Sequence, residues 1–206
     1  LLVHGRRDAP RHHLSLREAI EGAWSTLPAS LQDILMQCAA FPGSFTLEAA
    51  EAVLRSPDER SVTAHLLDLL DRALLLRTGD RLAVESNVRL YAASHPADPS
   101  LWERFDAWCL QLAAPLTPWL ADDMPERIAA LVPERDSLRA FARRAVALPD
   151  PAPAACALHP FLTLHGPAAL HDALLEAAAA VDGPDAARLR TAWASRLRRQ
   201  RRMPAS

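Results

Sequence analysis

SVTAHLLDLLDRALLLRTGDRLAVESNVRLYAASH, residues 61–95, is the stretch whose reading decides the fold. Leu66, Leu67, Leu69, Leu70 and Leu74 supply the apolar face of a helix that Ser61 caps and that runs to Leu75. The period then changes to that of a strand. LLLR, the turn residues Thr78, Gly79 and Asp80, and RLAVE predict a two-stranded hairpin with a glycine in its loop. Helix resumes in SNVRLYAASH and stops before Pro96, because the proline ring disfavours helical backbone in the residue ahead of it.

Upstream, the same period recurs in three shorter segments. SLREAIEGAWSTL places Leu16, Ala19, Ile20, Ala23, Trp24 and Leu27 on one face, with Ser15 as N-cap and Glu18 completing a capping box. Pro28 opens a second helix whose stripe is Leu31, Ile34, Leu35, Cys38 and Ala39, and Phe41-Pro42-Gly43 ends it. Thr46 caps a third, TLEAAEAVL, and the polar link RSPDE leads to Ser61. Helices, then a tight hairpin, then a helix is the order of a winged helix within a mainly α chain. The predicted division is a linker from a preceding domain at 1–14, a winged-helix domain at 15–95, and a helical region at 96–206.

In the last region Leu101, Trp102, Phe105, Trp108, Cys109 and Leu112 repeat at helical intervals until Pro115 and Pro118. PERIAALV and RDSLRAFARRAVAL follow, then the breaker cluster PDPAP. The pairs Gly166-Pro167 and Gly183-Pro184 each end one helix and start the next. They lie 17 residues apart, from 166 to 183, close to half the roughly 34-residue period of tetratricopeptide repeats. A tetratricopeptide-like layer of helical hairpins and a plain bundle both remain open.

Composition bounds the function. The chain has 206 residues, 50% of them hydrophobic, and a formal charge of -2, enough for one large or two small ordinary cores. All 23 basic residues are arginine. A Walker A loop needs a lysine for the β- and γ-phosphates and Schiff-base chemistry needs an amine, so neither can reside here. The start at Leu1 fits excision from a longer polypeptide. Cys38, Cys109 and Cys156 are far apart within apolar helical stretches and read as buried reduced thiols. With no apolar run of membrane-spanning length and no signal-peptide pattern, the chain reads as cytoplasmic.

AAFPGSFTLEAAEAVL, LLDLLDRALLLRTGDRLAVE and NVRLYA in succession resemble the winged-helix domain of STAND signal-transduction ATPases related to NB-ARC proteins, in particular bacterial regulators of AfsR-like or LuxR-like layout. The entry segment GRRDAPRHHLSLREAIEGAW resembles the linker and first helix after the nucleotide-binding core of that family. The resemblance covers roughly residues 3 to 95. It implies a P-loop ATPase domain upstream in cis, binding ATP or ADP that this chain itself does not hold. It further implies helical repeats that receive a protein or small-ligand effector. It also places Val84, Glu85 and Ser86 on the family's Met-His-Asp motif, with Glu85 where the nucleotide-sensing histidine stands. A carboxylate cannot donate to a phosphate, which leaves Arg89 as the cation near a nucleotide, against the plainer reading of a solvated or ion-paired helix arginine.

Other constellations read as structural. A recognition helix after Ser61 would carry His65, Asp68, Asp71 and Arg72, and the wing only Arg77 and Arg81 beside Asp80, an unfavourable charge balance for DNA. His12 and His13 read as linker histidines. His159, His165 and His171, six apart, lack the i, i+4 spacing of a helical metal pair. Asp122, Asp123 and Glu126 read as a solvated loop, and Ser25, Ser44 and Ser86 have no Gly-x-Ser-x-Gly context. The terminal RLRRQRRMPAS sets Arg196, Arg198, Arg199, Arg201 and Arg202 within seven residues, a candidate contact for an acidic partner or the favourable positive end of a helix. The expected function is non-catalytic regulation and interaction within a STAND-type ATPase; the alternative is a DNA-binding winged-helix transcriptional regulator.

Overall fold

The polar groups freed at each helix end decide how the elements connect. The computed structural model describes residues 20–95, 98–119 and 121–202, with the side chains of 199–202 excepted. The predicted linker at 1–14, the Ser15–Glu18 capping box, His12 and His13 lie outside the described residues. The fold is mainly α-helical with one small three-stranded antiparallel sheet. It divides into two units, through Leu101 and from Trp102 onward, whereas the sequence predicts the division after His95.

In the first unit, α1 covers 20–25, α2 Ala29–Cys38, β1 Phe45–Thr46, α3 Leu47–Val53, α4 Val62–Asp71, β2 Leu75–Thr78, β3 Arg81–Val84 and α5 Ser86–Ala93. The predicted caps hold: the Thr46 hydroxyl accepts from the Ala49 amide at 3.2 Å, and that of Ser61 from the Ala64 amide at 3.1 Å. The core is built from Leu31, Ile34, Leu35, Phe41, Phe45, Leu66, Leu69 and Leu75, all buried. Phe41 and Phe45 stack at 4.4 Å between ring centroids.

Two expectations need correction here. The sheet has three strands, ordered β1-β3-β2, because Phe45 and Thr46 pair with Leu82 and Arg81. Two residues are too few for an alternating pattern to show in sequence. The helix after Ser61 ends at Asp71, four residues before its predicted end at Leu75. There Ala73 adopts φ +57°, the Leu74 amide donates to the Leu69 carbonyl at 3.0 Å, and the Ala73 amide donates to Leu70 at 2.9 Å. This is a Schellman ending with alanine in the position that glycine usually holds. The hairpin that follows has a two-residue loop, Gly79-Asp80, with Gly79 at φ +63°.

Buried polar residues fix the link between α3 and α4. The Gln37 carboxamide accepts from the Arg55 amide and donates to the Arg55 carbonyl, each at 2.8 Å. His65 is fully buried, with Nδ1 3.0 Å from the Ser61 carbonyl and Nε2 3.2 Å from the Asp58 carboxylate. Asp58 is held below its ordinary value, first by the Arg60 amide that donates to it; desolvation opposes this and His65 adds to it.

The second unit contains α6 from Trp102 on (Leu101–Ala113), a 3-10 turn Ala114–Leu116, α7 Met124–Ala130, a 3-10 turn Val132–Glu134, α8 Arg135–Ala145, α9 Ala152–His165, α10 Ala168–Ala179 and α11 Ala186–Arg202. Helix α6 ends at Ala113 and passes into the 3-10 turn that carries Pro115, with Pro118 beyond it. Helix α10 packs against α8, α9 and α11 over Leu138, Phe141, Leu158, Phe161, Leu174, Leu175 and Leu189, all buried. Gly166 closes α9 where a Cβ would stand 2.7 Å from the Leu162 carbonyl oxygen, so the chain passes too close for any other residue.

Left-handed backbone costs an L-residue about 1 kcal/mol. Ala73→Gly is therefore expected to stabilise the first unit by about 1 kcal/mol, read as a raised urea midpoint with an unchanged slope. A lower midpoint would remove the Schellman assignment.

Candidate functional site

The second unit places a proline where a helix cannot complete its own hydrogen bonds. Pro160 sits inside α9 and has no N–H, so the carbonyl of Cys156, four residues earlier, loses its helical donor. The indole Nε1–H of Trp119 donates to that oxygen at 2.7 Å. Trp119 reaches it from a turn in which it adopts φ +24°, a conformation that a residue with a Cβ rarely takes.

Around this contact a group of aromatic and charged side chains assembles. The Trp119 ring stacks obliquely on His159, with centroids 4.3 Å apart, and the Arg188 guanidinium lies 3.8 Å from the centroid of Trp119. Arg188 also donates to the Thr117 carbonyl. His159 Nδ1 and His171 Nε2 are 3.0 Å apart, joining α9 to α10, and His171 is buried. Spacing alone separates these histidines; tertiary packing of α9 on α10 brings them into one bond. His165 stands apart from the pair, against Phe161, while its carbonyl accepts from Arg139 Nε at 3.1 Å.

The three thiols are free and buried. Burial pushes Cys38 and Cys109 far above the usual thiol range. Cys156 is pushed up to about 11 by burial and then by the charge of Asp185, against a lowering by Arg188. Thiols held so fully protonated are poor nucleophiles. Among the described residues no group of three His, Cys, Asp or Glu side chains is arranged to hold a metal ion. Asp123 pairs with Arg127 at 2.8 Å on one exposed turn, a contact that first lowers its pKa.

Arg89 and Glu85 belong to the first unit and are used locally. The Glu85 carboxylate caps α5, accepting from the Asn87 amide at 2.8 Å and the Val88 amide at 3.2 Å. Arg89 donates to the Pro42 carbonyl and, at 2.9 Å, to the Val84 carbonyl, while its Nε is buried without a partner. Within the arginine run, Arg196 pairs with Asp172 and donates to the Ala168 carbonyl at 3.2 Å. Arg198 is exposed and reaches the Ser195 hydroxyl at 3.3 Å. The side chains of Arg199, Arg201 and Arg202 lie outside those described. The run therefore has at least one member turned onto α10.

Comparison of the chain with protein-family models, with curated proteins and with solved structures finds no significant match. Among the described residues, no helix is long and apolar enough to cross a membrane.

Two outcomes follow from this geometry. Trp119→Phe is expected to cost about 1–3 kcal/mol in wild type, as a buried carbonyl is stranded, and measurably less in a Pro160→Ala background that restores the helical donor. A double-mutant cycle on urea midpoints measures the difference; equal costs in both backgrounds would discard the compensation. The native thiols are expected to resist an aromatic disulfide reagent at pH 8 and to react only as fast as the chain unfolds. A fast-reacting thiol would contradict the burial.

Proposed function

We infer that this chain is a non-catalytic regulatory segment of a STAND-type ATPase signalling protein. In this reading a winged-helix module couples the nucleotide state of an upstream P-loop domain to a helical region that receives a protein or small-ligand effector. One observation carries it. The first unit runs α2-β1-α3-α4-β2-β3, with the short β1 hydrogen-bonded to β3 and the β2–β3 hairpin following α4 directly. That order and pairing support the winged-helix reading, and they coincide with the stretch on which the family resemblance rests.

The module moves as a body in this proposal, packed on the ATPase core with ADP and released on exchange. ATP and ADP belong to the parent protein's core and not to this chain. Arg89, with its guanidinium committed to two carbonyls, acts by holding α5 against the loop after α2 and the end of β3, and would reach a nucleotide only by leaving them. The helical region is tetratricopeptide-like in this proposal, and the packing of α10 on its neighbours is compatible with it.

A DNA-binding regulator is disfavoured by the use of the wing arginines. Arg77 Nε donates to the Gly79 carbonyl at 2.9 Å, and Arg81 donates to the Ser44 hydroxyl at 2.8 Å and to the Ser44 carbonyl at 2.7 Å. Helix α4 offers Asp68 and Asp71 where a recognition helix needs cations.

The test is a titration of the chain against the P-loop domain that precedes it, with ADP or ATP present and random duplex DNA as control. Binding at least about tenfold tighter with ADP, a coupling of about 1.4 kcal/mol, supports the switch. Equal affinity in both nucleotide states would sink it. DNA binding with a steep salt dependence would replace it by the transcription-regulator reading.

A further inference from the structure

Two imidazoles bonded nitrogen to nitrogen can share one proton but not two. In the bond of 3.0 Å between His159 Nδ1 and His171 Nε2, one nitrogen must carry a hydrogen and the other must offer its lone pair. A neutral pair satisfies this, and so does a pair carrying one added proton, because the imidazolium then donates to its neutral neighbour. A second added proton leaves N–H facing N–H and sets two positive rings side by side. His171 is 1% exposed and His159 half-buried, so the charge on the inner ring has no water to dissipate it while the helices stay closed.

We propose that the His159–His171 bond is a proton-sensitive latch between α9 and α10, closed while the pair holds at most one added proton and opened by the second. The inference does not depend on the STAND reading.

The surroundings sharpen the response. On the side of His159, Trp119 is stacked against the ring and Arg188 lies over Trp119, which places a fixed positive charge near any imidazolium. The other titratable and charged groups on the elements packed here are Cys156 and His165 on α9, Asp172 and Glu176 on α10, Glu134 before α8, and Arg135, Asp136, Arg139, Arg143 and Arg144 on α8. Asp185 precedes α11, and Arg188, Arg190, Arg196 and Arg198 lie on it. Several are already engaged: Asp172 with Arg196, Arg139 with the His165 carbonyl, and Arg144 with Asp106. The 3-10 turn Ala114–Leu116 adds no titratable side chain.

The sign is fixed by proton counting. The open form binds more protons than the closed form, so the closed contact is stable at higher pH and is lost as pH falls. Where opening takes up one additional proton, its equilibrium constant rises roughly tenfold for each unit fall in pH. The pair therefore titrates in two steps that belong to the pair, rather than as two independent histidines.

The experiment is amide exchange on the full chain across the acid range, paired with nitrogen NMR of the histidine rings, in wild type and in His159→Gln. Glutamine keeps a partner able to donate or accept toward His171 while removing the second titrating ring. Wild type is expected to show two separated ring titrations, and an opening constant at α9–α10, taken as the exchange rate divided by the intrinsic amide rate at each pH, that rises roughly tenfold per unit fall in pH, while the β2–β3 amides remain protected. His159→Gln is expected to show one ring titration at position 171 and no such rise. His171→Gln provides the reciprocal variant should the first fold poorly. Independent titration of the two rings would overturn the latch. So would the same acid opening in either variant, or opening of β2–β3 at the same pH, which marks global acid unfolding.

Discussion

Every buried main-chain carbonyl that loses its regular partner must find another, and in this protein that partner is repeatedly a side chain from a distant part of the same unit. The Cys156 carbonyl, stranded by Pro160, is the clearest case, because its donor is 37 residues away in sequence. Arginine also serves main-chain carbonyls elsewhere, several of them at exposed positions. Arg89 serves Pro42 and Val84, Arg127 serves Pro115, Arg139 serves His165, Arg188 serves Thr117 and Arg190 serves Ala179. A chain without lysine has put its cations to use as hydrogen-bond forks at helix and strand ends, a task that suits the planar guanidinium better than a point charge.

This use of arginine bears on function. Counting basic residues suggests surfaces for phosphate or nucleic acid, yet a guanidinium committed to backbone oxygens has to give them up before it can take a ligand. Arg81 and Arg77 in the hairpin are committed in this way, and so is Arg89. In the first unit these cations are thus engaged in the protein's own structure. The thiols are likewise taken up in packing, each buried and protonated at neutral pH.

Much of the first unit was legible because its signals are local. Thr46 and Ser61 announce the starts of α3 and α4, and Gly79 announces the hairpin, because in each case one residue meets a need set by its immediate neighbours. The end of α4 was not legible: the left-handed position is held by Ala73, which carries no sequence signal for it, so the leucine pattern overran. Strand β1 exists only because Phe45 and Thr46 find Leu82 and Arg81 of β3, far along the chain, and a two-residue strand has no period to read. The site in the second unit was least legible of all. His159 and His171 lie on different helices, and Trp119 joins them through a turn, so no spacing rule within one element could have paired them. The visible signal was Pro160, since a proline inside a helix always poses the question of which group serves the orphaned carbonyl.

The arginine ties also set how the fold responds to its medium. An exposed ion pair such as Arg60–Asp68 weakens as added electrolyte screens the two charges. The contact of a guanidinium with a partly buried carbonyl dipole, as between Arg139 and His165, does not rest on a counter-charge, and it works at a range shorter than any ion atmosphere. The loops of this protein are thus fastened by attachments that ionic strength hardly loosens, while its surface charge remains free to be tuned by salt.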